Sequence, residues 1–291
     1  MEQPDYSFCR LCPRQCCVDR TASEFGFCGC GDQALVAKTM LHHWEEPVLA
    51  GSGGSGAIFF GSCTLGCRYC QNRDISGGPV GVKMDAPALR DAMLDLIGRG
   101  ADNIDLVTPT HFLPTVVQAL SEKLPVPVVY NCGGYERPEM LRALEGKVDI
   151  YLPDLKYADN ALAARLSDAG NYVQYATAAI REMVRQTGPV RFEGERMVSG
   201  VLIRHLVLPG YVENSLKVLD WIGENFHPGE VLVSLMSQYT PMPGMTAPLN
   251  RRVTKEEYDA VLSWMLLNDL EGFTQEISAA DDGFIPDFQQ K

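Results

Sequence analysis

Basic residues are scarce in this chain. Its 291 residues include 25 Lys and Arg against 37 Asp and Glu, a formal charge of -12 at neutral pH. Nucleic-acid binding needs clustered cations to neutralise phosphates, and the Arg251-Arg252 pair is too short a patch, so the balance argues against a nucleic-acid partner. Long apolar runs are missing too. No segment approaches the ~18 apolar residues of a membrane span, and the opening MEQPDYSFCR has no basic region followed by an apolar stretch. The expectation is a cytoplasmic protein with no membrane partner. Internal repeats and long low-complexity tracts are also absent. The 46% hydrophobic content, over this length, is enough to bury a sizeable core, which is not the pattern of a disordered tail.

What the chain has in plenty is cysteine, ten in all. In a reducing compartment such thiols serve as metal ligands or redox groups rather than as a disulfide framework. One group comprises Cys9, Cys12, Cys16, Cys17, Cys28 and Cys30, another Cys63, Cys67 and Cys70, and Cys132 stands alone as a packed or rim residue. The second group puts three thiols into the loop CTLGCRYC directly after the apolar run AIFF. Two thiols would suggest a disulfide or a redox pair, and four would close a zinc site or ligate every iron of a cubane. Three leave one metal position open, where a cofactor or substrate can bind. The chemistry expected is a [4Fe-4S] cluster with one free iron, and the alternative is a zinc loop completed by Cys132 or a His.

Strand-like runs occur at 57–61, 104–108, 126–130, 148–152, 201–208 and 231–236. Helical patterns alternate with them. Asp85 stands at a cap before APALRDAMLDLIGRG, Pro138 near the start of a short helix, and Glu213 to Phe226 carries Leu216, Leu219 and Ile222 at helical spacing. Residues 158–187 read as two helices broken near Gly170, and TKEE at 254–257 is a capping-box start for a last helix. Alternation with continuously apolar strands predicts an α/β fold, a partial (β/α)6 TIM-type barrel. The expected division is a Cys-rich N-terminal module at 1–50, a barrel at 51–245 and a C-terminal helix and tail at 246–291. Residues of chemical type follow the strands: the cysteine loop, Thr108 to His111, Asn131 to Gly134, Pro153 to Lys156, and Gln238-Tyr239. In a parallel barrel those strand ends share one face, where active sites are built.

Two patterns carry less than they suggest. Gly51 to Gly56 matches GxGxxG but precedes a strand and opens no helix, so it reads as a flexible entry turn rather than a phosphate site. His42 and His43 form no ligand pattern and read as surface or packing residues.

The spacing Cys63-x3-Cys67-x2-Cys70, with the aromatic Tyr69 before the last cysteine, resembles the signature of the radical S-adenosylmethionine superfamily. CxLCPRxC at 9–16, GFCG at 26–29, HHWEEP at 42–47, CQNRDIS at 70–76, VTPTHF at 107–112, PDLKY at 153–157, RHLVLPG at 204–210 and QYTP at 238–241 together resemble homologues of the pyruvate formate-lyase activating enzyme. That resemblance implies that Cys63, Cys67 and Cys70 hold the cluster. Tyr69 and Gln71 would then lie beside the adenine and methionine parts of S-adenosylmethionine, and Asp154 and Lys156 match an Asp-x-Lys at the cofactor, with Lys156 placed to pair with its carboxylate. Arg204 matches the arginine of the fifth-strand motif, its alternative being a barrel-rim ion pair. Thr108 and Gln238 occupy the places of further cofactor contacts, where the superfamily has Gly-Gly-Glu and the activating enzyme has a His.

The resemblance also implies a reaction. The cofactor is cleaved by one-electron reduction and a hydrogen is taken from a substrate, with no acid-base dyad or nucleophile required, so no catalytic side chain is named. The substrate expected of an activase is a glycine of a partner glycyl radical enzyme, and the reductant a flavodoxin or ferredoxin. Other readings are a small-molecule or peptide substrate, or a zinc-stabilised binding or scaffold module. In the N-terminal group Cys9, Cys12, Cys16 and Cys28 fit the related homologues, as a zinc site or a second iron-sulfur cluster, with Cys17 and Cys30 as substitutes or spare thiols.

Overall fold

The computed structural model describes residues 3–275 and Phe288. The tail expected after the last helix, from residue 276, lies outside the described residues apart from Phe288. Ten strands form one sheet: β1 (Ala34–His42), β2 (Ser55–Phe60), β3 (Val82–Met84), β4 (Asn103–Val107), β5 (Val128–Cys132), β6 (Ile150–Pro153), β7 (Arg191–Glu193), β8 (Arg196–Leu206), β9 (Leu232–Met236) and β10 (Gly272–Thr274). The order is β10-β9-β8-β6-β5-β4-β2-β1-β3, with β7 paired to β8.

The six strands from β2 to β9 that the apolar runs announce pair in parallel, in the succession β2, β4, β5, β6, β8, β9. Every residue of β2 and of β5 is buried, as strands covered on both faces must be. Beyond them β1 pairs antiparallel with β2 and with β3, so a strand from the Cys-rich segment is hydrogen-bonded to the barrel. Only its first three residues are buried. That leaves β1 without a continuous apolar signal in the sequence.

The helices are α1 (Arg73–Ser76), α2 (Ala86–Gly98), α3 (Leu113–Ala119), α4 (Pro138–Leu141), α5 (Asn160–Ser167), α6 (Tyr172–Thr187), α7 (Val212–Asn225) and α8 (Lys255–Leu267). Asp85 caps α2 by accepting from the Ala88 N–H, and Leu89, Met93 and Leu96 of α2 face the core. The break expected near Gly170 is real. Asp159 caps α5, Asp168 ends it in the left-handed region at φ 52°, and α6 begins four residues later. Thr254 and Glu257 close the capping box of α8. One apolar core takes in Leu11 and Cys9 of the N-terminal arm with the barrel residues Leu106, Tyr130 and Ile203. Among the described residues no helix is long and apolar enough to cross a membrane.

Candidate metal and cofactor site

The loop bearing the three cysteines leaves the carboxyl end of β2 through a tight passage. A side chain at Gly61 would put its Cβ 1.7 Å from the Val80 carbonyl oxygen, so only glycine fits. The loop is then clamped to the end of α5, because the Gly66 N–H donates to Ser167 O at 3.0 Å and the Arg68 N–H to Leu166 O at 2.9 Å.

Each of the three sulfurs accepts one hydrogen bond. The Leu65 N–H donates to Cys63 Sγ at 3.4 Å, the Ser167 hydroxyl to Cys67 Sγ at 3.0 Å, and the Ser76 hydroxyl to Cys70 Sγ at 3.3 Å. Donors aimed at sulfur stabilise a thiolate and tune the metal it binds. Burial pushes the Cys63 thiol up to about 12 and the Cys67 thiol up to about 11, while the Lys156 ammonium pulls both the other way. The donor set therefore suits a cationic metal group that displaces the protons. Among the described residues no three His, Cys, Asp or Glu side chains stand close enough to hold a single ion as they are. A cluster makes a different demand, since each thiolate binds its own iron.

Beside the sulfurs lies a half-buried charge network. Lys156 Nζ is 2.5 Å from Asp154 Oδ2, and Arg204 Nε is 2.9 Å from Asp154 Oδ1. Burial alone would raise the Asp154 carboxyl, but Lys156 and Arg204 outweigh it and hold the group below its usual value. Burial likewise works against the Lys156 charge, and Asp154 and Cys67 overcome it. Arg204 also donates to Asn131 Oδ1 at 2.6 Å and lies 3.7 Å from Glu45, and Asn131 donates to Asp105 Oδ2 at 3.2 Å. Thus β4, β5 and β8 each contribute one polar residue to this network and the turn after β6 contributes two, and Arg204 is ion-paired within it.

The other expected residues stand at the same end. Gln71 Nε2 donates to the Gln238 backbone carbonyl at 2.9 Å, joining the segment after the cysteine loop to the one after β9. Thr108 sits at φ 62°, a left-handed conformation in which a β-branched residue is strained, and its N–H donates to Asn131 O at 2.8 Å. Tyr69 is buried, with its hydroxyl 2.6 Å from that of Tyr157 and its ring 6.2 Å from that of Tyr239. Cys132 is packed in the core, and burial holds its thiol well above the ordinary range. The ring of His42 meets Phe59 edge-on, as a packing residue does.

Sequence reasoning did not single out Glu45, Glu46, Asp105 or Ser167. Asp105 carried a signal, an acid inside the otherwise apolar β4, and it is fully buried with its carboxyl well above the usual range through burial and then Glu45. Glu46 is raised to about 7 by burial, with Arg204 opposing. Glu45 and Glu46 lie within the HHWEEP turn, where nothing in the sequence shows that the chain folds back over Arg204.

The fold is shared with solved structures that are distant from this chain in sequence. It is similar to a radical SAM methyltransferase from Sphaerobacter thermophilus, with a TM-score of 0.52 and 14% identity over 78% of this chain and 69% of that one. It is also similar to HydG, a maturase of the [FeFe]-hydrogenase, with a TM-score of 0.51 and 15% identity over 74% of this chain and 50% of that one. No protein-family model matches the sequence. The chain belongs to the family of the uncharacterized protein MJ0674 of Methanocaldococcus jannaschii, with which it is 32% identical over 270 residues, covering 87% of this chain and 73% of that protein.

Proposed function

We propose that the chain is a radical S-adenosylmethionine enzyme whose cluster is held by Cys63, Cys67 and Cys70 and whose cofactor is bound across the mouth of the barrel. The observation that carries this reading is the loop after β2, where three thiols each receive a hydrogen-bond donor and the Lys156 cation acts on two of them. Bound there, a [4Fe-4S] cluster with one open iron supplies the electron that cleaves S-adenosylmethionine, and hydrogen is then taken from a substrate.

The chain's own residues do the positioning. Leu65 N–H, Ser76 and Ser167 stabilise negative charge on sulfur, and Lys156 offers a cation to the cofactor carboxylate while Asp154 fixes its direction. Tyr69, Tyr157 and Tyr239 form a buried aromatic wall that keeps water from the same region. Gln71, Thr108, Arg204 and Gln238 complete the cofactor contacts in this reading. The motif resemblance to activating enzymes supports a glycine of a partner glycyl radical enzyme as the substrate, with a flavodoxin or ferredoxin as the reductant.

Anaerobic reconstitution with iron and sulfide, followed by reduction in the presence of S-adenosylmethionine, tests the reading. It predicts iron-sulfur charge-transfer absorption and release of 5'-deoxyadenosine. A protein that takes up its irons and forms no 5'-deoxyadenosine would refute it. A purified glycyl radical partner that gains no radical signal would refute the substrate assignment alone.

A further inference from the structure

The N-terminal arm contains a second convergence of thiols. Cys9, Cys12, Cys16 and Cys28 line one small cavity together with Arg20 and His111. Two turns bring them there. The Gln15 N–H donates to Cys12 O at 3.1 Å and the Gly29 N–H to Gly26 O at 3.0 Å, while the Cys17 N–H ties back to Cys9 O at 2.9 Å. Gly26 passes so close to Cys16 that a Cβ there would lie 2.7 Å from its sulfur, and the next N–H, of Phe27, donates to Cys16 Sγ at 3.4 Å.

Of the other two thiols of the arm, one is turned to solvent and one is buried against Cys28. Cys17 is exposed and its thiol donates to Gln15 O at 3.2 Å, and the Cys30 thiol donates to Cys28 O at 3.4 Å. Four of the six cysteines of the arm thus line the cavity, and Cys30 stands against one of them.

Two buried polar groups stand in the cavity wall, and one of them, Arg20, lacks a counter-charge among the described residues. Arg20 is 1% exposed, and its guanidinium reaches the carbonyls of Gly31 and His111, the Cys9 sulfur at 3.8 Å and the faces of Tyr6 and Phe112. Among the described residues no carboxylate forms an ion pair with it. A buried cation without a counter-charge is costly. His111 is also 1% exposed, and its Nε2 meets Gly61 O at 2.9 Å. Donating there makes Nδ1 the lone-pair nitrogen, and that atom has no hydrogen-bond partner. Four thiolates around a divalent zinc ion or a four-iron core leave a net negative centre, which is the counter-charge that Arg20 lacks.

We propose that Cys9, Cys12, Cys16 and Cys28, which stand too far apart to hold a single ion as they are, draw together as the thiolate ligands of a second metal centre, a zinc ion or a four-iron cluster, distinct from the Cys63 loop and closed to substrate. Thiolate-rich sites select these two metals, and four protein ligands leave no open position. The centre joins the arm to the barrel, since Ser62, beside Cys63, donates to the Cys28 carbonyl at 2.5 Å and Arg14 donates to Thr64 O at 3.0 Å.

The test uses the full chain carrying Cys63→Ala, Cys67→Ala and Cys70→Ala, so the other metal site is removed and no cofactor chemistry is involved. This protein, folded by circular dichroism, is exposed anaerobically to zinc alone or to iron with sulfide and then analysed for metal. The proposal predicts retention of about one zinc or about four irons per chain, and the two exposures distinguish the metals. Adding Cys12→Ser and Cys28→Ser should bring the retained metal to background, whereas adding Cys17→Ser and Cys30→Ser should leave it complete. Because loss of the centre can unfold the arm, the first and third proteins decide by themselves. A folded triple variant that retains neither metal, or equal loss with Cys17→Ser and Cys30→Ser, would overturn the proposal.

Discussion

The Ser167 hydroxyl donates to Cys67 Sγ across 3.0 Å and lies 2.6 Å from the Tyr157 hydroxyl. Each hydroxyl has one proton, so a Ser167 that donates to sulfur accepts from Tyr157, which in turn accepts from Tyr69 at 2.6 Å. Three residues separated by many positions in the chain therefore end in one hydrogen bond on one sulfur of the cysteine loop. Ser167→Ala should keep the iron content and lower the midpoint potential of the cluster. The loss of about 1 kcal/mol of hydrogen bonding to the reduced, more negative state corresponds to about 40 mV for one electron. A redox titration followed by electron paramagnetic resonance measures the shift, and an unchanged potential would show that the bond does not act on the cluster.

Lys156 is held between Asp154 and the cysteine loop. Lys156→Ala should weaken S-adenosylmethionine binding by about 10- to 100-fold, the worth of a charge-assisted hydrogen bond. Iron content should stay at the wild-type level, because the lysine carries no iron. Equilibrium binding to the reconstituted protein checks this, and equal affinities would remove Lys156 from the cofactor site.

Glu136 is fully buried, and burial raises its carboxyl to about 8 although Thr110 donates to it at 2.5 Å and Tyr130 at 3.3 Å. The folded chain thus keeps a proton that the unfolded chain releases near 4.5, the ordinary value for a glutamate. The stabilisation is complete below that value and is lost as pH rises toward 8, a change on the order of several kcal/mol. Glu136→Gln, which stays neutral throughout, should remove this decline. Denaturant midpoints at about pH 5 and about pH 8.5 for the two proteins measure it. Parallel declines in both would place the cause elsewhere.

The parallel strands were legible because strands buried on both faces must be continuously apolar, as in AIFF and VVY. The cysteine loop was legible because its three thiols are close in sequence. The strand β1 was not, since it lies beside the barrel with one short buried stretch and polar residues such as Lys38 and Thr39 within it. Nor was the pairing of Arg204 with Glu45 and Asn131, or of Ser167 with Cys67. Those partners stand 73 and 100 residues apart in two of the three cases, and only the folded barrel brings them together. Asp105 was the exception that the sequence did mark, since an acid in a buried strand needs a partner and here finds Asn131.

The central claim, that Cys63, Cys67 and Cys70 hold the cluster that cleaves the cofactor, is tested most directly by 5'-deoxyadenosine formation in single variants. Wild type and Cys63→Ala, Cys67→Ala and Cys70→Ala would be reconstituted anaerobically, reduced and given S-adenosylmethionine. Each thiolate has its own iron, so the account predicts 5'-deoxyadenosine from the wild type and none above background from any of the three variants. Retained turnover in any one of them would contradict it.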